Sequence, residues 1–304
     1  MIKIIDSRDQ GDSGELILEP TAGTLQEMLP EIHTASLQIR MSLCLQLLTG
    51  VKVMHSAGIC HLSISPGNVF CVRTSHPPFL LKLGLTGRSS DPAFAPPGDA
   101  SLPPHRIVAQ QPARDMFGSA CVLSMLISGH HIFGMDHDEQ LQNIATGSMV
   151  NAPLLQCVSL EAHDLVQGML LKQPSIDECL AHPLFWKAKD RFLYISELVR
   201  TDKHMRLPTG ETLGIETDWR TQLRSGLLFE HTRAGSTGSG NRTGKDWARY
   251  GSQPRELLRM LRNFYQHPPS LEGANPLTEA SKELKHFPAL FTSLYSIFGA
   301  LDEL

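Results

Sequence analysis

The chain has 304 residues, of which 41% are hydrophobic and 19% charged, and its formal net charge is -4. This composition is typical of a soluble globular protein with about two domains, and it excludes a chain that is basic overall. The sequence has no run of about 18 apolar residues, and its start lacks the charged-then-apolar order of a signal peptide. We therefore expect a cytoplasmic chain that makes no membrane contact of its own.

The predicted elements begin with two strand-like stretches, residues 1–5 and 15–18, which flank a turn rich in Asp and Gly and indicate a hairpin. Residues 36–55 carry apolar side chains at spacings of three and four, which predicts a long helix with one buried face. Further helices are predicted at residues 114–128, 138–146, 159–171, 175–181 and 186–199. Residues 73–112 are rich in Pro, Ser and Gly and are predicted as loop with one or two short strands, and the Gly/Ser-rich residues 234–244 are predicted as a second loop.

The cysteines form no CxxC pair, so we predict buried, reduced thiols and neither a disulfide framework nor a zinc site. They are Cys44, Cys60, Cys71, Cys121, Cys157 and Cys179. His130, His131 and the acidic residues 136–139 lack the helical spacing that would join them to a further ligand, and we interpret them as solvated loop residues. The sequence therefore predicts no metal site.

The middle of the chain contains a stretch that is similar to a family motif. Residues 58–68 (GICHLSISPGN) resemble the catalytic loop of protein kinases, in which His-Arg-Asp is followed five residues later by Asn. Residues 115–122 resemble the start of the buried kinase helix after the activation segment, and residues 181–186 resemble the end of the large lobe. Residues 16–27 resemble the hinge of the inositol-requiring enzyme. The resemblance implies a truncated, protein-kinase-like large lobe (α+β) over residues 1–183, whose glycine-rich loop and phosphate-binding lysine would precede residue 1.

The chemistry of a kinase requires one carboxylate that orients the attacking hydroxyl and another that holds Mg²⁺. By the resemblance, Ser63 stands at the first position and Lys82 at the second, whereas His61 and Asn68 remain. We interpret His61 as support for the loop backbone, and Asp115 as a buried acceptor for loop amides. The sequence therefore predicts that the chain does not transfer phosphate and needs no cofactor. It gives little support for nucleotide binding.

Residues 250–267 (YGSQPRELLRMLRNFYQH) predict a helix with Pro254 in its first turn and a stop at the following Pro-Pro pair. At about 100° per residue the apolar and polar side chains divide completely. The apolar side carries Leu257, Leu258, Met260, Leu261, Phe264 and Tyr265, and the polar side carries Arg255, Arg259, Arg262, Asn263, Gln266 and His267. A surface helix with merely solvated arginines would show the same division.

The polar side also suits the cleavage of a phosphodiester by its own 2′-hydroxyl. That reaction needs a base, an acid for the departing 5′-oxygen and positive charge on the phosphoryl oxygens, but no metal. An imidazole is a common general acid, so His267 suits that role, and the guanidinium of Arg262 suits the developing charge. Asn263 lies one turn before His267 on the same stripe.

The pattern of this helix resembles the motif of the kinase-extension nuclease (KEN) domain of the inositol-requiring enzyme and RNase L. That motif is a Tyr, a Gly-containing turn, Arg-(Asp/Glu)-Leu-Leu-Arg, then Arg-Asn, three residues and His. The resemblance implies Tyr250 as base or its partner, His267 as general acid, and Arg262 with Asn263 as the phosphate-stabilising pair. The turn after Tyr250 is one residue shorter than in the family, and residues 217–220 (TDWR) resemble the domain's Asp-Trp-Arg element.

The sequence thus predicts a mainly α protein, with the kinase-like lobe followed by an all-α KEN ribonuclease domain over residues 184–304. We expect a metal-independent endoribonuclease that leaves a 2′,3′-cyclic phosphate, with Arg255, Arg259 and Arg249 as RNA-binding cations. The resemblance implies RNA as substrate and a homodimer or a heterodimer with a full-length relative. It also implies the cytosolic face of the endoplasmic reticulum if the chain is part of a longer, membrane-tethered product. The alternatives are a catalytically dead regulatory partner and an active serine/threonine kinase.

Overall fold

The computed structural model describes residues 1–9, 14–75, 77–86, 91–96, 104–201, 207, 213, 215, 218–223, 228, 250–268 and 273–299. Arg249, the loop predicted at 234–244, Thr217 and the end of the chain lie outside the described residues. The chain divides into two compact units, Met1–Leu180 and Ala181–Leu304. None of the described helices combines the length and the apolar composition needed to cross a membrane.

The strands of the first unit form two antiparallel sheets. In the first, β1 (Ile4–Asp9) pairs with β2 (Gly14–Leu18), so the predicted hairpin is confirmed although its first strand lies further along the chain. The second sheet has the order β3 (Gly23–Thr24), β4 (Val69–Arg73), β5 (Phe79–Leu83). Burial alternates at the start of β4, as expected for a strand with one face on the core.

The helices of the first unit include the long helix predicted from its periodicity, which is confirmed as α2. In order they are α1 (Leu25–Ile32), α2 (Leu37–Ser56), α3 (Pro104–Ser128), α4 (His137–Thr146), α5 (Ala152–Val158), α6 (Leu160–Leu171) and α7 (Ile176–Ala181). The Ser36 side chain accepts from the Ile39 amide and caps the start of α2. The α2 face that holds Leu47 and Val51 is buried.

The start of α3 contradicts the prediction of a loop through residue 112, because the helix already begins at Pro104. A proline in the first helical turn needs no amide partner, so Pro104 fits this position. Pro112 lies inside the helix, where it removes a hydrogen bond, and the fully buried Ala120, Cys121 and Val122 further along α3 offset that cost by packing. The short helix α5 was not predicted, since seven residues carry too few repeats to establish a period.

The cysteines are free, and Cys44, Cys71, Cys121 and Cys179 are buried as predicted. Cys157 is exposed, so its prediction as a buried thiol is wrong. His131 is also not a solvated loop residue, because it is only 4% exposed. Its Nε2 donates to the Ala93 carbonyl at 3.1 Å, and burial lowers its pKa to about 4.

The described part of the second unit is helical. It contains α8 (Ala188–Arg200), α9 (Pro254–Gln266), α10 (Pro276–Ser281) and α11 (Leu290–Phe298), with 3-10 turns at Pro183–Phe185, Trp219–Thr221 and Glu283–His286. The helices α8 and α9 pack together, and the Phe192 and Phe264 rings lie 5.7 Å apart between them. Trp219 is completely buried in the same core.

Candidate active site

The helix α9 carries the predicted site and has the predicted amphipathic form. Pro254 occupies its first turn, and the helix ends at Gln266, because the backbone of the next residue, His267, leaves helical geometry at φ -134° and ψ 59°. Its apolar side, Leu257, Leu258, Met260, Leu261 and Phe264, is fully buried. Burial of each such side chain contributes roughly 1.5–3 kcal/mol, so the polar face is fixed in orientation by the packing of the other face.

Tyr250 and Asn263 meet on this polar face. The Asn263 Nδ2 atom donates to the Tyr250 hydroxyl at 2.7 Å, and the Tyr250 ring packs partly against the core of the unit. The two residues are 13 positions apart. The contact therefore depends on how the turn between Tyr250 and α9 is folded.

Arg262 lies beside Asn263, and one of its nitrogen atoms has no partner in the described structure. Its Nη1 donates to Gln266 Oε1 at 2.8 Å, one helical turn away. Its Nε–H is buried and donates to no acceptor among the described residues. An unpaired buried guanidinium N–H is costly, and a phosphate oxygen is a strong acceptor for such a group.

His267 is exposed at the end of α9. Its backbone amide donates to the Asn263 carbonyl at 3.0 Å, so Asn263 contacts Tyr250 through its side chain and His267 through its backbone. The structure therefore brings the Tyr250 and Asn263 side chains together, and it links His267, an exposed residue, to Asn263 through the backbone.

Arg255 and Arg259, predicted to bind RNA, both lie near the carboxylate of Glu256. Arg259 Nη1 is 3.0 Å from both oxygens of Glu256, and Arg255 Nε is 3.8 Å from one of them. Glu256 is 13% exposed at its side chain, whereas the two arginine side chains are about half exposed. The carboxylate therefore offsets part of the positive charge that the sequence prediction assigned to this surface.

The Asp-Trp-Arg element holds the turn that follows Tyr250. The Trp219 indole N–H donates to the Gly251 carbonyl at 2.9 Å, and Arg220 Nη1 donates to the Tyr250 carbonyl at 3.4 Å. Asp218 Oδ1 accepts from Arg220 Nε at 2.7 Å, and its other oxygen pairs with Nη2. The Arg220 side chain holds the pKa of the Asp218 carboxyl below its ordinary value.

The predicted degenerate kinase loop is organised by Asp115, as expected of a buried acceptor. Its carboxylate accepts from the His61 amide at 2.7 Å, from the Leu62 amide at 2.6 Å and from His55 Nε2 at 2.9 Å. His61 is completely buried, and burial lowers its pKa. Leu62 adopts a positive φ of 65°, an uncommon geometry for a leucine that the two amide bonds to Asp115 support.

Asn68 and Ser63 take part in backbone contacts of this loop. Asn68 Nδ2 donates to the Ser63 carbonyl at 3.0 Å and to the Leu85 carbonyl at 2.8 Å, and its Oδ1 accepts from the Leu85 amide. A Cβ atom at Gly84 would collide with the Asn68 carbonyl, so glycine is required there. The Asn68 amide group thus ties the loop to the residues after β5.

Lys82, which the sequence resemblance assigns to the position of the Mg²⁺-binding carboxylate, forms an ion pair with Glu19. Lys82 Nζ lies 2.7 Å from Glu19 Oε2, and the other oxygen of Glu19 accepts from the Lys3 amide. The pair lowers the pKa of the Glu19 carboxyl. The Ile2 amide also bonds the Leu83 carbonyl, so these contacts join the β1–β2 hairpin to β5.

His55, Cys60 and Asp115 form a cluster in which one atom of each lies within 4.8 Å of the others. Both oxygens of Asp115 accept hydrogen bonds from protein N–H groups, and one of these donors is His55 itself. Burial and the Asp115 charge raise the pKa of the Cys60 thiol, which disfavours the thiolate that a metal would bind. Hydrogen bonding therefore explains this geometry.

The part of the chain that matches solved structures has a protein-kinase-like fold. A solved structure of Rad53 residues 1–466 in complex with AMP-PNP covers 61% of this chain, with a TM-score of 0.50 and 22% sequence identity. The match covers 50% of the Rad53 chain. At this identity the likeness establishes the fold alone.

The chain belongs to the protein kinase domain family, whose family model matches residues 1–185. An inactive serine/threonine-protein kinase/endoribonuclease IRE1-like of Arabidopsis thaliana is 30% identical over 167 residues, or 50% of this chain. The human serine/threonine-protein kinase/endoribonuclease IRE2 is 26% identical over 290 residues, or 83% of this chain. The chain spans 29% of the length of each of these relatives.

Proposed function

We propose that the chain is a metal-independent endoribonuclease and that its second unit is an all-α KEN domain. The hydrogen bond from Asn263 to the Tyr250 hydroxyl carries this proposal, because it joins two residues of the motif that are distant in sequence. The guanidinium of Arg262, the residue next to Asn263, also supports it, because a guanidinium is a suitable donor for a phosphoryl oxygen. The alignment with the human kinase/endoribonuclease, which extends over 83% of the chain, supports it as well.

In the proposed reaction the 2′-hydroxyl of the RNA attacks the adjacent phosphorus and the 5′-oxygen departs. Tyr250, oriented by Asn263, accepts or relays the 2′-hydroxyl proton, and His267 donates a proton to the 5′-oxygen. Arg262 stabilises the charge that develops on the phosphoryl oxygens. The bond rearrangement leaves a 2′,3′-cyclic phosphate and a new 5′-hydroxyl without a cofactor. In this proposal RNA is the partner of the chain. We also propose that the chain works as a dimer and that it lies in the cytoplasm.

The kinase-like lobe has, in this proposal, no phosphotransfer activity. The family position of the metal-binding carboxylate is taken by the cation Lys82, and Glu19 already neutralises it. Ser63 cannot accept the proton of an attacking hydroxyl as a carboxylate does. A magnesium nucleotide would therefore meet an ion-paired lysine where it needs a free carboxylate.

A second candidate is a regulatory partner that binds RNA or a relative without cleaving. Its support is the solvent-exposed His267, which hydrogen-bonds Asn263 through its backbone amide, together with the charge that Glu256 offsets at Arg255 and Arg259. The two candidates differ in whether RNA cleavage requires the His267 imidazole.

The test compares cleavage of an end-labelled stem-loop RNA by the purified wild-type chain, His267→Ala and a matched control, His286→Ala. His286 is an exposed histidine of the same unit, outside α9. We expect wild-type and His286→Ala to cleave at the same rate, and His267→Ala to lose at least about a hundredfold, the usual contribution of a general acid. Equal rates for all three proteins would contradict the proposal, and RNA binding without cleavage would favour the regulatory partner.

A further inference from the structure

Residues about thirty positions earlier in the chain hydrogen-bond the turn that begins at Tyr250. Only three residues separate Tyr250 from the first residue of α9, and none of them has a side chain buried in the core. The carbonyls of Tyr250 and of Gly251 both accept hydrogen bonds from the Asp-Trp-Arg element. The turn is therefore held at two consecutive peptide groups.

The donors of these two bonds are themselves rigid. Trp219 is completely buried in the core shared with α8 and α9, so its indole N–H has a fixed position relative to Asn263. Arg220 is oriented by Asp218, which binds its Nε and Nη2 as a fork and leaves Nη1 for the Tyr250 carbonyl. A planar guanidinium held at two nitrogens has little freedom left at the third.

We infer that Trp219 and Arg220 are positioning residues that place the Tyr250 hydroxyl at Asn263. The inference rests on the proposed nuclease function, in which Tyr250 handles the 2′-hydroxyl proton. A displacement of about 1 Å at a catalytic group lowers the rate by up to about a hundredfold. A turn that is fixed at both carbonyls therefore supports a higher rate of cleavage than a mobile turn would. The same two bonds compensate for the shortened turn between Tyr250 and Arg255.

The variant Trp219→Phe removes the indole N–H and keeps an aromatic ring in the core. Its matched control is Trp186→Phe, since the Trp186 indole N–H also donates to a backbone carbonyl, that of Ala181 at 2.8 Å, within the same unit. We expect Trp219→Phe to lower kcat about tenfold with KM unchanged, and Trp186→Phe to leave kcat unchanged. Arg220→Lys, which keeps the charge but loses the fork, should lower kcat in the same manner.

A double-mutant cycle distinguishes positioning from general damage. If Trp219 acts through Tyr250, the substitution Trp219→Phe has no further effect on the residual activity of Tyr250→Phe. A loss of the same factor in both backgrounds would show that Trp219 acts on the fold and would overturn the inference.

A second readout needs no activity. The chain has four tyrosines, so biosynthetic labelling with 3-fluorotyrosine gives a simple ¹⁹F spectrum in which Tyr250→Phe assigns one resonance. We expect Trp219→Phe to shift or broaden the Tyr250 resonance, and Trp186→Phe to affect Tyr194 and Tyr295, which it contacts. An unmoved Tyr250 resonance in Trp219→Phe overturns the inference. If wild-type protein cleaves no RNA but the resonance moves, the placement of Tyr250 stands and the nuclease proposal alone fails.

Discussion

Replacement of Glu256 by Gln should weaken the fold and strengthen RNA binding at the same time. Glu256 lies in the first turn of α9, where a carboxylate interacts favourably with the helix dipole by about 0.3–1 kcal/mol. It also pairs with Arg259, and such surface pairs contribute roughly 0.2–1 kcal/mol. The variant should therefore lose about 1 kcal/mol of unfolding free energy.

The expected gain in RNA binding follows from the two arginines that the substitution releases. Each phosphate that a protein neutralises on single-stranded nucleic acid adds about 0.7 to the slope of log K against log salt. If Arg255 and Arg259 both become available, the slope should steepen by about 1.4. If Glu256 competes with RNA for the two arginines, Glu256→Gln should lower the unfolding free energy and raise the affinity for RNA. Partial unfolding of the variant would lower both.

The assay is fluorescence anisotropy with a labelled single-stranded RNA in the His267→Ala background, titrated from about 50 to about 200 mM salt, the range over which counterion release dominates. The matched control is Glu279→Gln, which removes the same charge from the pair that Glu279 in α10 forms with Lys282, the residue after the end of that helix. A slope that stays unchanged in Glu256→Gln, or steepens equally in the control, would refute the assignment of the polar face of α9 as the RNA-binding surface.

Three further predictions concern the fold. Since the folded pKa of His131 is about 4 and lies below the ordinary value near 6.5, the unfolded chain binds more protons between these limits. The free energy of unfolding should therefore fall by about 3 kcal/mol in total as the pH falls through this window. In urea unfolding, His131→Gln should not show this pH-dependent loss. A variant whose unfolding free energy depends on pH as the wild type's does would contradict the buried, neutral imidazole. Glu19→Lys and Lys82→Glu should each lower the melting temperature, and the charge-reversed double variant should regain part of the loss, whereas additive losses contradict the ion pair. Phe264→Ala should cost about 3–5 kcal/mol in urea unfolding, because the side chain is completely buried between α8 and α9, and a loss below about 1 kcal/mol contradicts that packing.

The sequence predicts those features that depend on local periodicity. The two faces of α9 follow from spacings of three and four, and the structure buries Leu257, Leu258 and Leu261 as the helical wheel requires. The role of Asp115 as an acceptor for loop amides was also predicted, through the resemblance to the kinase loop. In both cases the deciding information lies within one segment or one motif.

Contacts between distant segments were not predictable in this way. The bonds from Trp219 and Arg220 to the turn after Tyr250 end on backbone carbonyls, which every residue has, so no side-chain pattern marks the acceptors. The pair of Lys82 with Glu19 spans 63 positions. The proximity of Glu256 to Arg259, in contrast, is an i,i+3 spacing that the sequence displays, and it reduces the charge predicted for this surface.

The most direct test of the central claim is the chemistry of the product ends when the wild-type chain cleaves a stem-loop RNA in the presence of excess chelator. Transesterification through Tyr250, Arg262 and His267 predicts 2′,3′-cyclic phosphate and 5′-hydroxyl ends, formed at the same rate with and without chelator and lost in His267→Ala. Cleavage that stops with chelator, or products that carry 5′-phosphate ends, would contradict the account.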